Sequence, residues 1–219
     1  MIKKLIPILI TFVFSSQCLF AEENETTLPE KKIIKRYEYV DREHTAGQNA
    51  FNLTFMYGLD IAIYRLTQAS AIHEHGSWEN YRRNFGHPNM DHDAPIWNLV
   101  GHPITGAETY LYYRAKGYTK LQSLHMAFWS SFLFEFTIET YTERPSYQDL
   151  YQTPVLGSAM GYGLERLSMF LLNSDTGWFG KSTGYLVNPM LYFGYTEIET
   201  IIYPQITSNK QSLNLVVRF

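Results

Sequence analysis

The sequence has little cysteine, no surplus of basic residues and no long apolar run that is free of charge. Cys18 is the single cysteine among 219 residues, so the chain has no internal disulfide and must be stabilised by a hydrophobic core or a membrane. Lys and Arg number 18 against 21 Asp and Glu, which gives a formal net charge of −3. A mildly acidic chain lacks the basic surface that neutralises phosphates, and this excludes a nucleic-acid partner.

Several common catalytic motifs are also missing from the sequence. The pattern Gly-x-Ser-x-Gly occurs once, at residues 180–184, but no strand-like run precedes it to form a nucleophile elbow, and there is no glycine-rich phosphate loop. Neither a serine nucleophile nor a nucleotide partner is therefore supported. The zinc motif His-Glu-x-x-His is absent as well. We therefore predict no cofactor and no nucleotide, and we assign no residue as a metal ligand.

The first 21 residues have the three parts of a secretory signal peptide. Lys3 and Lys4 form a basic start, residues 5–16 are apolar but too few to cross a bilayer, and Ala21 ends a plausible cleavage site. We predict that residues 1–21 are removed and that the protein is exported to the cell envelope, in the periplasm or the outer membrane. Residues 22–45, with acidic and then basic side chains, are predicted to form a polar flexible tether.

Helical spacing of apolar residues predicts a mainly α fold over residues 46–190. The first helix is expected at residues 51–67. Residues 73–95 are predicted to form a solvated loop, whose His, Asp and Glu side chains are a weaker metal candidate. No internal repeat is evident.

Stop and start signals divide the rest of the helical domain. Gly117 ends one helix and a capping box at Thr119 opens the next, so these two helices must run antiparallel in a bundle. Arg144 precedes a proline and is expected to end the second helix near residue 143. Thr153, also before a proline, is expected to cap a last helix that ends near residue 173.

The C-terminal segment, residues 191–219, is rich in Ile, Val, Tyr and Thr. Two such runs separated by a polar stretch predict a short β-hairpin or strand appendage. The apolar alternation that ends in Phe219 is similar to the last strand of outer-membrane barrels, but the segment supplies too few strands for a complete barrel.

Polar residues recur four positions apart on the predicted helices, where they share one face. One stripe joins His102 to Arg114, a second contains Glu135 and Glu139, and a third runs from Gly157 to Glu165. Reflection about the turn near residue 118 places His102 beside Glu135 or Glu139, with Asp149 at the same end of the bundle. Gly157 and Gly161 are expected to pack against a neighbouring helix. The candidate catalytic residues are His102, Glu135, Glu139 and Asp149; the candidate binding residues are Asn98, Tyr110, Arg114, Arg144 and Ser146.

Three interpretations of this meeting are open. The first, which we favour, is a buried structural pair that satisfies polar groups and fixes helix register, with Glu139 bound to an arginine or a backbone N–H. The second is an acid/base site that activates water or a hydroxyl. The third is a metal site formed by the His, Glu and Asp side chains. A cluster that opens into a pocket lined by the tyrosines near residue 112 would indicate a ligand.

The same residues carry a family resemblance. The sequence has His102-x-x-x-Gly106, a mid-helix Glu135, the segment Pro145-Ser146-x-x-Asp149-Leu150 and then spaced glycines. Over roughly residues 90–190 this pattern resembles the bacterial family called domain of unknown function 3943 and, more distantly, the VanZ-like membrane proteins. The resemblance implies a helical envelope protein and implies no reaction.

Two function classes follow from these observations. The favoured class is a non-catalytic, membrane-associated envelope protein that binds lipid or supports an outer-membrane assembly, so the expected partner is a membrane lipid or an outer-membrane protein. The alternative is a small hydrolase or transferase that acts on envelope lipids through His102 and the glutamates. Residues 121–138 and 155–172 are apolar but contain charges, so their insertion in a membrane stays open. The oligomeric state stays open too.

Overall fold

The computed structural model describes residues 32–90, 94–194, 196–207 and 210–218. The predicted fold class is confirmed, because the chain is mainly α-helical and has a small antiparallel sheet. It divides into a helical unit, with described residues 39–90 and 94–194, and a sheet unit, with described residues 32–38, 196–207 and 210–218. The predicted signal peptide, residues 1–21, lies outside the described residues.

The helical unit is built from short and medium-length helices. They are α1 (Ala46–Thr67), α2 (Ala69–His75), α3 (Trp78–Asn84), α4 (His102–Ala115), α5 (Lys120–Thr137), α6 (Asp149–Tyr151), α7 (Gly157–Leu172) and α8 (Trp178–Val187). Two π-helical turns, Trp97–Gly101 and Gln152–Leu156, precede α4 and α7, and 3-10 turns occupy Glu139–Tyr141 and Pro189–Phe193. Within the described part of the chain, every helix falls short of the length or the apolar character that a bilayer crossing needs.

Two local predictions are wrong. The segment at residues 73–95 was expected to be a loop, but it contains the end of α2 and all of α3. The Ser77 hydroxyl accepts a hydrogen bond from the Asn80 N–H at 3.0 Å and so caps α3. Helix α5 ends at Thr137 instead of near residue 143, because the Thr140 hydroxyl takes the Glu135 carbonyl as its acceptor at 2.8 Å.

The junction between α4 and α5 agrees with the sequence prediction. Gly117 has a φ of +92°, a left-handed conformation that glycine adopts without strain. Thr119 and Gln122 form the expected capping box at the start of α5. The Tyr113 and Ser130 hydroxyls are hydrogen-bonded at 3.0 Å across the two helices. These contacts confirm the antiparallel pairing.

Helices α4 and α7 run parallel and approach very closely. His102 meets Thr153 and Arg114 meets Glu165, and each pair is separated by 51 residues in the chain. Between these pairs Gly106 packs against Gly157: a Cβ built on Gly106 would lie 1.7 Å from the Thr153 carbonyl oxygen. The expectation that Gly157 packs against a neighbouring helix is therefore confirmed, and the neighbour is α4.

Aromatic side chains form the core between α1, α4 and α5. Met56, Tyr112, Tyr113 and Tyr118 are at most 2% exposed and pack together. Their hydroxyl groups are satisfied inside the core; for example, the Tyr112 hydroxyl donates to the Asn52 side-chain oxygen at 3.0 Å. This unit can therefore bury tyrosine without losing hydrogen bonds.

The sheet unit has three antiparallel strands in the order β1 (Lys32–Glu38), β2 (Thr196–Thr207) and β3 (Lys210–Arg218). The predicted C-terminal hairpin is present as β2 and β3, with Thr207 opposite Lys210. Strand β1 differs from the tether expected at residues 22–45, because Ile34 pairs with Thr200 and the neighbouring residues continue the ladder. A charged segment forms a strand here because its backbone groups find partners on β2.

The glycine contact between α4 and α7 gives a testable consequence. We expect Gly106→Ala to destabilise the protein by about 3 kcal/mol or more, since the new methyl group would overlap the backbone of the neighbouring helix. Gly163→Ala in α7 is the matched control, because a Cβ there meets no atom within 4 Å. Replacing this mid-helix glycine should stabilise by about 0.5–1 kcal/mol. Urea denaturation of both variants measures the difference, and equal stabilities would contradict the close contact.

Candidate functional site

The two closely packed helices each have an unusual turn where the site forms. His102 precedes Pro103 in α4, and Thr153 precedes Pro154 in the turn that leads into α7. A proline inside a helix removes a backbone hydrogen bond and crowds the preceding turn. Wider π-helical turns accommodate both prolines: the His102 N–H bonds to the Trp97 carbonyl, five residues back. Such turns are frequent at functional sites.

The His102 imidazole lies between two polar groups. Its Nδ1 is 3.2 Å from the Thr153 hydroxyl, and its Nε2 is 3.3 Å from Oδ1 of Asp149. The Asp149 side chain is 4% exposed and that of His102 is 19% exposed. The position of the ring is thus fixed on both sides. Thr153, expected to be a helix cap, instead contacts His102, so that prediction is wrong.

Glu135 completes a cluster with His102 and Asp149. One ligating atom from each of the three side chains lies within 4.8 Å of the other two. Glu135 is 1% exposed, and its Oε2 accepts a hydrogen bond from the Ser146 N–H at 3.1 Å. The prediction that His102 approaches Glu135, with Asp149 at the same end of the bundle, is confirmed. We call His102, Glu135 and Asp149 the His–carboxylate cluster.

The loop before α6 holds two of these carboxylates in place. The Ser146 hydroxyl accepts hydrogen bonds from the N–H groups of Gln148 and Asp149, at 3.1 and 3.2 Å. Ser146 therefore caps the short helix that presents Asp149 while its own N–H contacts Glu135. Its placement supports a positioning role in the cluster.

Glu139 lies next to the cluster in the 3-10 turn that follows α5. Burial raises the pKa of Glu139 well above its usual range, and the nearby charges of Glu135 and Glu143 raise it further. Contact with the Glu135 carboxyl contributes to the same rise, as expected where two carboxyl groups share a buried site. The expected pairing of Glu139 with an arginine or a backbone N–H is replaced by this carboxyl pair.

A partly open cavity of about 520 Å³ adjoins the cluster. His102, Glu135 and Glu139 form part of its wall, together with Asp60, Glu143 and His75. Apolar side chains cover another part, namely Ile63, Tyr64, Ala71, Trp97, Ile104, Ala127 and Phe134. The cavity has the size and mixed lining of a small-molecule site.

The remaining candidate binding residues lie elsewhere. Arg114 forms a buried two-point contact with Glu165, at 2.9 and 3.1 Å, and also contacts Asp41 at 2.8 Å. The Tyr110 hydroxyl donates to Glu165 at 3.2 Å. Neither Tyr110 nor Arg114 is part of the described cavity lining, so the grouping of these two residues with the His102 site is wrong.

Two further candidates differ in exposure. Asn98 is buried on the π-helical turn before α4, close in sequence to His102. Arg144 is exposed and lies before Pro145. The tyrosines expected to line a pocket, at positions 110, 112 and 113, belong to the protein interior, and the described lining of the cavity does not include them.

The weaker metal candidate at residues 73–95 is not assembled by the described residues. His73 and His75 lie on α2, and among the described residues the only group of three or more potential ligands is the His–carboxylate cluster. Residues 91–93, which include an Asp, a His and an Asp, lie outside the described residues.

Comparison with known families agrees with the resemblance noted in the sequence. Residues 87–190 match the family described as Domain of unknown function (DUF3943). This match supports a relationship between the chain and the DUF3943 family. The matched segment contains the complete His–carboxylate cluster, Thr153 and both π-helical turns. No curated protein and no solved structure matches the chain.

The acidic wall of the cavity generates a prediction about pH. Burial raises the pKa of Asp60 from 3.8 to about 7, so its ionisation opposes folding increasingly as the pH rises from about 4 through about 7. We expect Asp60→Asn to stabilise the protein by about 2 kcal/mol at pH 8, because the partial exposure of Asp60 to solvent reduces the full value of about 4 kcal/mol. At pH 4 the gain should fall below about 0.5 kcal/mol.

Asp175→Asn serves as the control for this experiment, since Asp175 is exposed and far along the chain from the cavity. Urea denaturation at both pH values gives the free energies of unfolding. A gain for Asp60→Asn that is independent of pH, or one that Asp175→Asn reproduces, would contradict the burial of Asp60.

Proposed function

We propose that this chain is an exported cell-envelope protein that binds a single-chain amphiphile, such as a lipid, in the cavity beside the His–carboxylate cluster. The observation that carries the proposal is the position of His102 and Glu135, two members of the cluster, on the wall of a partly open cavity. A purely structural pair needs no adjoining space of about 520 Å³.

Recovery of the protein from the envelope fraction with Glu22 as its first residue tests the export.

The wall of the cavity supports an amphiphile over a wholly polar ligand. Ile63, Ile104 and Phe134 provide an apolar surface, while His102 and Glu135 provide hydrogen-bonding groups on the same cavity. An apolar chain removes the first surface from water, and a polar head meets the second group. Neither surface alone would select such a molecule.

Exposed aromatic residues support an association with lipid. Trp78, Trp129, Phe170, Trp178 and Phe179 are each more than half exposed. Large aromatic side chains at a surface favour the boundary between apolar and aqueous phases, which is where an envelope lipid is found. The more distant VanZ-like resemblance belongs to the same proposal, because it suggests a membrane setting.

Filling the cavity tests the binding proposal. Ile104→Trp should weaken the binding of a dansyl-labelled fatty acid at least tenfold, because Ile104 lines the cavity and its larger replacement takes the space of the ligand chain. Leu121→Trp is the matched control: Leu121 is 62% exposed and is not part of the described cavity lining. Fluorescence titration measures both. Equal affinities for the two variants, or no saturable binding by the unmodified protein, would contradict the proposal.

A second candidate function is a hydrolase or transferase that acts on the same class of ligand. It is favoured by the placement of His102 between the Asp149 carboxylate and the Thr153 hydroxyl, which orients the imidazole as a general base requires. The buried carboxyl of Glu139, with its raised pKa, would supply an acid beside it.

Lipid analysis of cells separates binding from catalysis. We expect a strain that carries His102→Ala to accumulate the same lipid as a deletion strain if the protein is an enzyme, because the base is then lost. The conservative Glu135→Gln variant is measured beside it, with protein levels checked by immunoblot. An unchanged lipid profile in the His102→Ala strain, at normal protein level, would exclude catalysis by His102.

A further inference from the structure

The His–carboxylate cluster has the composition of a transition-metal site. It offers one imidazole nitrogen and two carboxylate oxygens from three different segments, α4, α5 and the start of α6. Imidazole and carboxylate ligands together suit Zn²⁺, Mn²⁺ and related divalent ions. Glu135 and Asp149 are at most 3% exposed, so the ligands are held in the protein interior.

The separation of two of these atoms fits a shared ion. Nε2 of His102 and Oδ1 of Asp149 are 3.3 Å apart. Two ligands bound tetrahedrally to zinc at about 2.0–2.1 Å are roughly 3.3–3.4 Å apart. The ligating atom of Glu135 lies within 4.8 Å of both others, so it would have to approach them more closely to bind the same ion.

The other nitrogen of His102 supports the same assignment. In the tautomer that has its proton on Nδ1, the imidazole donates to the Thr153 hydroxyl, 3.2 Å away. The Nε2 lone pair of this tautomer is available to a cation that the Asp149 carboxylate also binds. Metal-binding histidines are commonly oriented by a hydrogen bond to their second nitrogen.

A further observation comes from the surroundings of the cluster. Oε2 of Glu139 is buried and has no hydrogen-bond partner among the described residues. Four carboxylate side chains line the cavity, from Asp60, Glu135, Glu139 and Glu143, whereas the described lining contains no Lys or Arg. Positive charge from a divalent ion would offset this concentration of carboxylates.

We propose that His102, Glu135 and Asp149 bind a divalent transition-metal ion, with an open coordination position toward the cavity. Three protein ligands and one open position are typical of metal sites that also bind a small molecule. The ion would attract an anionic head group, a carboxylate or a phosphate, to a wall that is otherwise acidic. This choice of head group rests on the proposed amphiphile function, whereas the metal site itself does not.

Titration calorimetry of the chelator-treated, full-length protein with ZnCl₂ and MnCl₂ tests the site. We expect one equivalent of ion to bind and Asp149→Asn to weaken the affinity at least 100-fold. Thr153→Val, which removes only the group that orients His102, should weaken it about tenfold. Glu143→Gln is the matched control, since it removes a carboxylate from the same cavity outside the cluster, and it should change the affinity less than threefold.

A second measurement needs no variant. The visible absorption spectrum of the Co²⁺-loaded, unmodified protein should show the intense bands of a four- or five-coordinate ion. Absence of binding by both Zn²⁺ and Mn²⁺, or an equal affinity for Asp149→Asn and the unmodified protein, would overturn the metal site. Fatty-acid binding that persists without metal would overturn the role of the ion in head-group recognition and leave the amphiphile proposal standing. Metal binding without fatty-acid binding would overturn the amphiphile proposal and leave the metal site standing.

Discussion

The contact between Gly106 on α4 and Gly157 on α7 is the constraint on which the helical unit depends. Two parallel helices can approach this closely only where neither has a side chain, and the contact fixes their register. The register then determines which polar residues meet on either side. Thr153 is brought to His102 at one end, and Glu165 is brought to Arg114 at the other.

The two ends of this helix pair satisfy their buried charge in different ways. Arg114 and Glu165 form a two-point contact, to which Tyr110 and Asp41 add further bonds. This group is complete within the protein, as a structural ion pair must be. The His102 end has three carboxyl groups, from Glu135, Glu139 and Asp149, and it adjoins a cavity. Buried ionisable groups beside a cavity are typical of a binding site.

The π-helical turns at the His102 end bring together the side chains of the candidate site. The wide turns at Pro103 and Pro154 let both helices continue through a proline, so that His102 and Thr153 point at each other from helical backbone. The loop that contains Ser146 then presents Asp149 to the imidazole. Each element contributes one group to the site, and no element forms the site alone. The site is therefore sensitive to any change in how the helices pack.

The sequence predicts this arrangement in part, and the reasons are local. Capping residues and four-residue spacing are local signals, so the junction at Gly117, the capping box at Thr119 and the meeting of His102 with Glu135 follow from the residues alone. The turn near residue 118 relates only α4 to α5, so it gives no information about which residues of α4 contact α7. Arg114 contacts Glu165 of α7. The assignment of Arg114 to the site was wrong for this reason.

Other features were missed because they depend on partners distant in sequence. Thr153 looks like a cap beside Pro154, and its contact with His102 exists only once α4 and α7 are packed. A sequence signal was nevertheless available, because the two segments share one pattern. Residues 102–106 read His-Pro-x-x-Gly, and residues 153–157 read Thr-Pro-x-x-Gly. Strand β1 was missed because a charged segment becomes a strand through its pairing with β2, about 160 residues later. The cavity was missed since side chains from four helices enclose it.

The central claim is that helix register places His102 and Asp149 in direct contact inside the protein. A double-mutant cycle of His102→Ala and Asp149→Asn, measured by urea denaturation in the presence of a chelator, tests it most directly. The account predicts that the two substitutions are not additive, with a coupling free energy of about 1 kcal/mol or more. Additive effects within about 0.3 kcal/mol would mean that the two side chains do not interact, and that result would contradict the account of the site.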